Sequence, residues 1–209
     1  MDSITIALSK GRLADKAIEI LDGCGIDCSE LKNETRKLKI SDKSGKYNFI
    51  FVKPSDVPTY VERGAADLGV VGKDTLLEEN KDIYELIDLK IAKCKLAVAG
   101  FKGFNYLNLD KNLRVATKYI RVATNFFYKK GIAVDIIKLH GSVELAPLIR
   151  LADVIVDVVE SGKTLKANGL EVLEDICECS AKLVVNKASL KTRSSIIEPL
   201  LKEIKKAVK

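Results

Sequence analysis

Short apolar runs alternate with helical patterns almost from one end of this 209-residue chain to the other. Ser3–Ser9 carries an apolar residue at every second position, which is typical of a strand, and positions 12–21 then follow a helical pattern. A β-branched apolar run at 153–159 is followed in the same way by a helix at 163–168. Such alternation predicts an α/β fold with largely parallel sheets, because each helix carries the chain back to start the next strand.

The remaining elements continue this alternation. Further strands are predicted at 36–40, 47–53, 67–71, 94–99, 114–117, 135–139 and 182–186. Further helices are predicted at 56–63, 73–79, 119–130, 143–151 and from 194 to the end, where Pro199 predicts a kink or a late start.

The length and composition suit one large domain or two small lobes. Hydrophobic residues make up 47% of the chain and charged residues 31%, a balance that excludes a disordered protein. No Ser/Gly/Pro-rich linker divides the sequence, so two lobes would be joined through structured segments near 91–93 and 180–181. In that case the two lobes would be a discontinuous lobe I, 1–91 plus 181–209, and a lobe II, 92–180.

The charge pattern favours a small anionic ligand. The net charge is +6, from 35 Lys and Arg against 29 Asp and Glu, and the basic residues are spread along the whole chain. Aromatic residues are only 6% and Trp is absent, which disfavours nucleic acid because its recognition uses clustered charge and stacking platforms. No run approaches the roughly 18 apolar residues of a membrane span. We therefore expect neither nucleic acid nor membrane as a partner.

The cysteines and the amino terminus predict a cytoplasmic protein. The start of the chain lacks the basic and apolar regions of a signal peptide. Five cysteines are present with a single histidine, His140, and their spacings do not match a zinc site. We therefore expect reduced thiols and no metal bound by protein side chains alone.

The sharpest functional pattern lies at 157–164, where an apolar strand enters a polar turn that opens a helix. Unpaired backbone N–H groups and the positive end of the helix dipole point at whatever occupies such a turn. Two acids come first, and hydroxyl and ammonium donors follow: Asp157, Glu160, Ser161, Gly162, Lys163 and Thr164. This order suits a sugar phosphate, with carboxylates for ribose hydroxyls or Mg²⁺ and donors for the phosphate.

A nucleotide-hydrolysing P-loop is the competing interpretation, because Gly162-Lys163-Thr164 imitates the end of that motif. The P-loop requires a glycine at position 157, where this chain has Asp157. A carboxylate there would repel the phosphates that the loop wraps, so the P-loop interpretation fails. An ordinary strand–helix turn with a helix cap remains the structural alternative.

Two further turns carry candidate ligand residues. Lys10, Gly11 and Arg12 place two cations beside a helix start, and Arg36 is a possible third cationic element. In the stretch 67–74 a strand ends in a glycine-containing turn where a ligand can approach the backbone; its candidates are Asp67, Gly69, Gly72 and Asp74. Alone, the cationic turn at 10–12 cannot be told from a solvated charged turn, Arg36 is more often an exposed strand start, and a structural turn is favoured at 67–74.

The segment 140–144 is a weaker candidate. Ser142 is a potential helix cap, and Glu144 either faces a ligand or complements the helix dipole. No Ser/His/Asp or Cys/His set accompanies His140, so this histidine is not predicted to be a catalytic base.

Together these segments resemble one family, ATP phosphoribosyltransferase. The resemblance covers nearly the whole chain and rests on these segments in order: Ala7–Arg12, Arg36–Leu38, Pro54–Val61, Gly64–Asp74, Lys93–Leu96, Arg114–Tyr119, Leu139–Leu148 and the turn at 157–165. Two departures are visible. Arg150 stands where the family signature usually has glycine, and Ile120-Arg121 replaces a common Pro-Asn pair.

The resemblance implies the following fold and partner. The fold would be two α/β lobes like those of a type II periplasmic binding protein, with the active site in the cleft between them. The chain is similar to the short form of the family, which works with a separate regulatory subunit resembling histidyl-tRNA synthetase. The implied reaction is Mg²⁺-dependent transfer of the phosphoribosyl group from 5-phosphoribosyl diphosphate to N1 of ATP, the first step of histidine biosynthesis.

The resemblance also implies roles for the candidate residues. Ser161–Thr164 would bind the 5-phosphate, and Asp157 with Glu160 the ribose hydroxyls. Arg12 and Arg36 would be catalytic, acting with Lys10 on the polyphosphates and the departing pyrophosphate. The ATP side would be formed by Lys10, Gly11, Asp67, Gly69, Gly72, Asp74 and Glu144. Mg²⁺ would be bound mainly through substrate. The alternative is a non-catalytic two-lobe subunit that binds a ligand or serves as a scaffold.

Overall fold

The computed structural model describes residues 3–32, 37–108 and 112–208. The chain divides into two compact units: unit 1 consists of Met1–Ala92 with Ser180–Lys209, and unit 2 of Lys93–Cys179. In the described ranges no helix is both long and apolar enough to cross a membrane.

Both units combine strands with helices. The strands are β1 (Ile4–Ser9), β2 (Lys39–Ser41), β3 (Tyr47–Val52), β4 (Leu68–Gly72), β5 (Tyr84–Asp88), β6 (Cys94–Phe101), β7 (Leu113–Thr117), β8 (Val134–Lys138), β9 (Val154–Val159), β10 (Leu170–Cys179) and β11 (Ala181–Val185). The helices are α1 (Arg12–Gly23), α2 (Ser29–Lys32), α3 (Val57–Glu62), α4 (Lys73–Glu79), α5 (Ile120–Lys129), α6 (Leu145–Leu148), α7 (Lys163–Ala167), α8 (Lys187–Thr192) and α9 (Ser194–Ala207).

Unit 1 is built on a six-stranded sheet in the order β2-β3-β1-β4-β11-β5. Successive side chains of β1 point to opposite faces of the sheet, as they do in any strand. Ile4, Ile6 and Leu8 join a core that includes residues of α1 and α9. Ala7 faces the other way and packs with Val57 of α3. Helices therefore cover both faces of this sheet.

Unit 2 is built on a five-stranded sheet in the order β10-β6-β9-β7-β8. On one face, Phe127 of α5 packs with Val154 and other residues of the sheet. On the other face, Ile155 packs with Ala146 of α6 and Leu165 of α7. The neighbouring residues Val154 and Ile155 pack on opposite faces, which explains why apolar residues stand at consecutive positions of β9 rather than at alternate ones.

The prediction of largely parallel sheets is wrong. Among the described strands four pairings are parallel and five are antiparallel, so both sheets are mixed. The antiparallel pairings come largely from β5, β10 and β11, which join their sheets through contacts distant in sequence. The predicted elements did not include β5 and β10.

In each sheet the strand order reverses beside a central parallel strand. In unit 1 the chain reaches β3 on one side of β1 and then β4 on the other side. In unit 2 it reaches β8 on one side of β7 and then β9 on the other side. Ligands of open α/β sheets bind beyond the carboxyl ends of the strands at such reversals. The turns after these strands are therefore where a site is expected.

Near the amino ends of two adjacent parallel pairs, β1 with β4 and β7 with β9, an aspartate joins the two strands by hydrogen bonds; we call this arrangement a clamp. The Asp67 N–H donates to the Thr5 carbonyl at 2.8 Å, and the Thr5 N–H donates to Asp67 Oδ2 at 2.7 Å. In unit 2 the Asp153 N–H donates to the Arg114 carbonyl at 2.9 Å, and the Arg114 N–H donates to Asp153 Oδ2 at 3.0 Å. The same pair of hydrogen bonds thus joins β1 to β4 and β7 to β9.

In both clamps an arginine side chain also donates to the aspartate. Arg193 Nη1 donates to Asp67 Oδ2 at 2.7 Å, and the Ser189 hydroxyl donates to Asp67 Oδ1 at 2.6 Å. Arg114 instead forms a bidentate pair with Asp153, with Nη2 at 2.8 Å from Oδ1 and Nε at 3.2 Å from Oδ2. Each carboxylate is therefore engaged on both oxygens, as burial demands.

Candidate active site

The turn after β9 presents a set of anion donors. Gly162 has φ of +70°, a left-handed conformation that glycine adopts at low cost, and it leads directly into α7. Ser161, Lys163 and Thr164 are exposed. Their side chains have no hydrogen-bond or ion-pair partner within the described ranges. Because the first N–H groups of a helix also lack intrahelical acceptors, this turn offers hydroxyl, ammonium and amide donors to an anion.

The two acids of this segment occupy different surroundings. Asp157 is half-buried on β9, opposite Ala97 of β6, and lies on the same face of the sheet as Ile155 and Val159. Glu160 is exposed immediately after the strand. One carboxylate thus stands on the sheet and one in the turn, both within a few residues of the donors.

The turn after β7 lies at the same edge and was not predicted as part of the site. Thr117 is fully buried; its hydroxyl donates to the Val156 carbonyl at 2.6 Å and accepts from the Tyr119 N–H at 2.8 Å. These bonds hold the turn against β9. Lys118 is exposed, with its ammonium 4.7 Å from the centre of the Tyr119 ring. The Thr-Lys-Tyr sequence at a strand end was the available signal.

The segment after β8 also begins at this edge. Glu144 is half-buried and occupies the position before the first residue of α6. Ser142 has φ of +48° and its side chain does not cap the helix. His140 is exposed. Glu144 is therefore the group in this segment that suits a ligand.

The turn after β1 is cationic. Lys10, Gly11 and Arg12 are all exposed, and the Lys10 ammonium lies 6.0 Å from the centre of the Phe51 ring. Gly11 has φ of +107°, a backbone conformation that favours glycine. Lack of space is not the reason, because a Cβ at this position would meet nothing within 4 Å. The predicted catalytic residue Arg36 lies outside the described residues.

The turn after β4 carries an acid rather than an available cation. Lys73 is paired with Glu85, Nζ to Oε1, at 2.6 Å. Asp74 lies half-buried in the first turn of α4, where a carboxylate is favoured by the helix dipole. A Cβ on Gly72 would stand 2.2 Å from Asp74 Oδ1, so glycine makes room for this carboxylate.

Two predicted nucleotide residues have structural roles in this geometry. Asp67 is only 3% exposed, and the clamp described above occupies both of its carboxylate oxygens. Gly69 is buried, and a Cβ there would lie 2.8 Å from methyl groups of both Val57 and Val61. Nucleotide contact by Asp67 and Gly69 stays a prediction that their positions do not support.

Over the described part of the chain, no group of three or more His, Cys, Asp or Glu side chains is arranged to hold a metal ion. The carboxylates closest in sequence to the anion donors are Asp157 and Glu160. One or two carboxylates completed by substrate phosphates are a common binding mode for Mg²⁺.

These features define an α/β protein whose strand–helix turns suit a phosphorylated ligand. The family model described as "HisG: ATP phosphoribosyltransferase" matches residues 53–206. A protein from Clostridium acetobutylicum named ATP phosphoribosyltransferase is 50% identical over 206 residues, which are 99% of this chain and 96% of that protein. One of the same name from Ruminiclostridium cellulolyticum is 53% identical, covering 96% of this chain and 95% of the relative.

A solved structure is similar over the same length. It is the ATP phosphoribosyl transferase (HisG:HisZ) complex from Thermotoga maritima, with a TM-score of 0.85, 33% identity, and 98% of each chain covered. The chain belongs to the ATP phosphoribosyltransferase family and is therefore a transferase of histidine biosynthesis. The predicted α/β fold class, with two lobes of the periplasmic-binding-protein type, is confirmed, although the sheets are mixed rather than largely parallel.

The structure explains one departure from the family pattern. Arg150 has φ of +60°, the left-handed region where glycine is normally preferred, and its carbonyl accepts a 3.0 Å hydrogen bond from Arg114 Nη1. The other departure is accommodated directly, since Ile120 and Arg121 begin α5 without proline. Arg150 thus keeps the backbone shape of a glycine at some conformational cost.

Proposed function

We propose that this chain transfers the phosphoribosyl group of 5-phosphoribosyl diphosphate to N1 of ATP, giving phosphoribosyl-ATP and pyrophosphate. The observation that carries the proposal is the exposed donor turn after β9, found in a chain of this family. Little acid–base chemistry is needed, because pyrophosphate leaves as an anion. The rate acceleration therefore comes from positioning the two substrates and from stabilising the charge that develops on the pyrophosphate.

The turn after β9 binds 5-phosphoribosyl diphosphate in this proposal. Ser161, Gly162, Lys163 and Thr164 hold the 5-phosphate through hydroxyl, amide and ammonium donors. Asp157 and Glu160 accept hydrogen bonds from the ribose hydroxyls. The ribose is thereby oriented with C1 open to attack from the face opposite the pyrophosphate, so that the configuration inverts.

The cationic turn after β1 binds the polyphosphates. Arg12 is assigned the catalytic role of stabilising charge that grows on the departing pyrophosphate, and Arg36 the same role from its own segment. Lys10 and the Gly11 backbone hold ATP phosphates. Support comes from the exposure of Lys10, Gly11 and Arg12 beside the helix start.

ATP is further held by Gly72, Asp74 and Glu144. The half-buried carboxylates of Asp74 and Glu144 suit hydrogen-bond donors of the adenine or its ribose. Mg²⁺ is the assigned cofactor; when bound, it neutralises diphosphate charge. It would be bound mainly through substrate oxygens, to which Asp157 or Glu160 could add a carboxylate oxygen.

The chain works in the cytoplasm with a regulatory subunit. The solved relative is a HisG:HisZ complex. We extend that assembly to this chain, with a HisZ-like partner that resembles histidyl-tRNA synthetase. The curated relatives have nearly the same length as this chain, in agreement with the short form of the family.

The test is direct. Purified chain is mixed with ATP, 5-phosphoribosyl diphosphate, Mg²⁺ and pyrophosphatase, and phosphoribosyl-ATP is followed by its near-ultraviolet absorbance, with and without a HisZ-like subunit. Product in either mixture supports the transferase. Absence of product in both, from folded protein that still binds 5-phosphoribosyl diphosphate in calorimetry, contradicts it and favours a non-catalytic ligand-binding subunit.

A further inference from the structure

Cys94, Cys177 and Cys179, which the transferase reaction does not use, lie close together where the chain enters and leaves unit 2. Cys94 on β6 is the direct cross-strand partner of Cys179 on β10, and the strands are antiparallel. The sulfur of Cys177 lies 3.9 Å from that of Cys179. All five cysteines are within the described ranges and none is in a disulfide.

We propose that Cys94 and Cys179 form a reversible disulfide when a small disulfide of the glutathione type oxidises the protein. Directly opposed residues of an antiparallel pair have Cα atoms about 4.5–5.5 Å apart, which is within the range of disulfides. Residues two apart on an extended strand are about 6.6–6.8 Å apart, at the upper limit of that range. The geometry therefore favours Cys94–Cys179 over Cys177–Cys179.

The sulfur environments indicate the order of the reaction. Contact with the Cys94 thiol, burial and the nearby Cys177 thiol raise the pKa of Cys179. Cys94 is only half-buried and can be reached by a reagent. The Cys94 thiolate attacks the small disulfide and releases one thiolate, leaving a mixed disulfide. Cys179 then gives up its proton and displaces the second thiolate, so two protein thiols are oxidised and one small disulfide is reduced.

The position of the pair gives the crosslink a structural consequence. Unit 2 comprises Lys93–Cys179, so Cys94 and Cys179 are its second and last residues. A disulfide between them closes nearly the whole unit into one loop and ties together the two segments through which the chain enters and leaves it. Closing a long loop restricts the unfolded state and stabilises the folded one.

The experiment places the full chain in buffers of reduced and oxidised glutathione, followed by acid quenching, alkylation, digestion and mass spectrometry. We expect a peptide pair linked through Cys94 and Cys179, reversed by dithiothreitol. Cys94→Ser removes the link. Cys177→Ser and the unit 1 control Cys24→Ser retain it. Full alkylation of all cysteines in fully oxidised glutathione, or a dominant Cys177–Cys179 link, overturns the proposal.

Thermal unfolding gives a second readout. The oxidised wild type should melt about 5–15 °C above the reduced protein, whereas Cys94→Ser should show no such shift. Cys179→Ala, which only shortens a buried side chain, replaces Cys94→Ser if that variant fails to fold. Equal melting temperatures for the linked and reduced wild type contradict the loop closure.

Discussion

The two units clamp their central parallel strands in the same way but obtain the arginine from different places. In unit 2, Arg114 comes from β7, which is itself one of the clamped strands. In unit 1, Arg193 lies 126 residues after Asp67 and reaches it from the segment that returns after unit 2. The same local geometry is therefore self-contained in one unit and depends on distant sequence in the other.

The carboxyl ends of these strands differ as well. After β1 the turn is purely cationic, with Lys10 and Arg12 on either side of a glycine. After β9 the donors of Lys163 and Thr164 follow an acid, Glu160. A cationic turn suits polyphosphate, whereas a mixed turn suits a phosphate attached to a sugar with hydroxyl groups. One type of reversal is thus adapted to two kinds of ligand group.

The largest expected effect is loss of a clamp. Asp67→Asn removes the charge and one of the two acceptor oxygens of a buried network, and should lower the free energy of unfolding by about 3 kcal/mol. Asp153→Asn, whose partner is on an adjacent strand, should cost about 1–2 kcal/mol. Urea unfolding at neutral pH measures both. Equal losses would show that the origin of the arginine does not matter.

The turn after β9 is tested by Lys163→Ala, which removes a charge-assisted hydrogen bond. Affinity for 5-phosphoribosyl diphosphate should fall about 10- to 100-fold in calorimetry. The matched control is Lys166→Ala, another exposed lysine of the same helix, which should bind as the wild type does. Unchanged affinity in Lys163→Ala would remove this turn from the site.

The turn after β1 should affect turnover more than affinity. If Arg12 stabilises the departing pyrophosphate, Arg12→Ala lowers kcat about 10-fold while the KM for 5-phosphoribosyl diphosphate changes less. Lys16→Ala, an exposed lysine on the same helix, is the control with unchanged kinetics. A variant that loses only affinity would argue that the two turns have the same role.

The smallest effect concerns pH. Burial favours the neutral acid, but hydrogen bonds from Lys182, Ser180 and the Lys90 N–H outweigh it and lower the pKa of Asp88 to about 2. Its stabilisation is therefore complete above the ordinary value near 4 and is lost as pH falls from about 4 to 2.

Asp88→Asn should make the acid loss of stability shallower, by less than about 1 kcal/mol because the side chain is partly exposed. Unfolding free energies across that pH range measure the slope, with the exposed Glu19→Gln as control. An unaltered slope in Asp88→Asn would assign the acid sensitivity to other carboxylates, such as Glu174 of unit 2. Lys130 and Tyr106 outweigh the effect of burial there and lower the pKa of Glu174.

The sequence predicted the elements whose own pattern is strong. β1 and β9 are buried strands followed by helices, and local periodicity suffices to find them. β10 was missed because it mixes acids with apolar residues, lies at a sheet edge, and has irregular pairing with β6. Its strand conformation depends on a partner about 80 residues away, which local pattern cannot show.

The helix predicted at 143–151 is shorter in the structure, where it is α6, and the local pattern again does not show why. Ser142 and Arg150 have positive φ at its two ends, and neither residue type signals this. For the site, the sequence identified the turn residues but not their environment. Asp67 was a plausible ligand residue by position, and only the fold shows that Arg193 and Ser189 occupy its oxygens.

The place of β11 in its sheet has a consequence for synthesis on the ribosome. β11 lies between β4 and β5, so β5 leaves the ribosome well before the strand that pairs with it. Unit 2 is continuous in sequence, so it can complete its sheet before β11 is synthesised and therefore before β5 can pair with it. Residues translated after unit 2 are thus the ones that complete the sheet of unit 1.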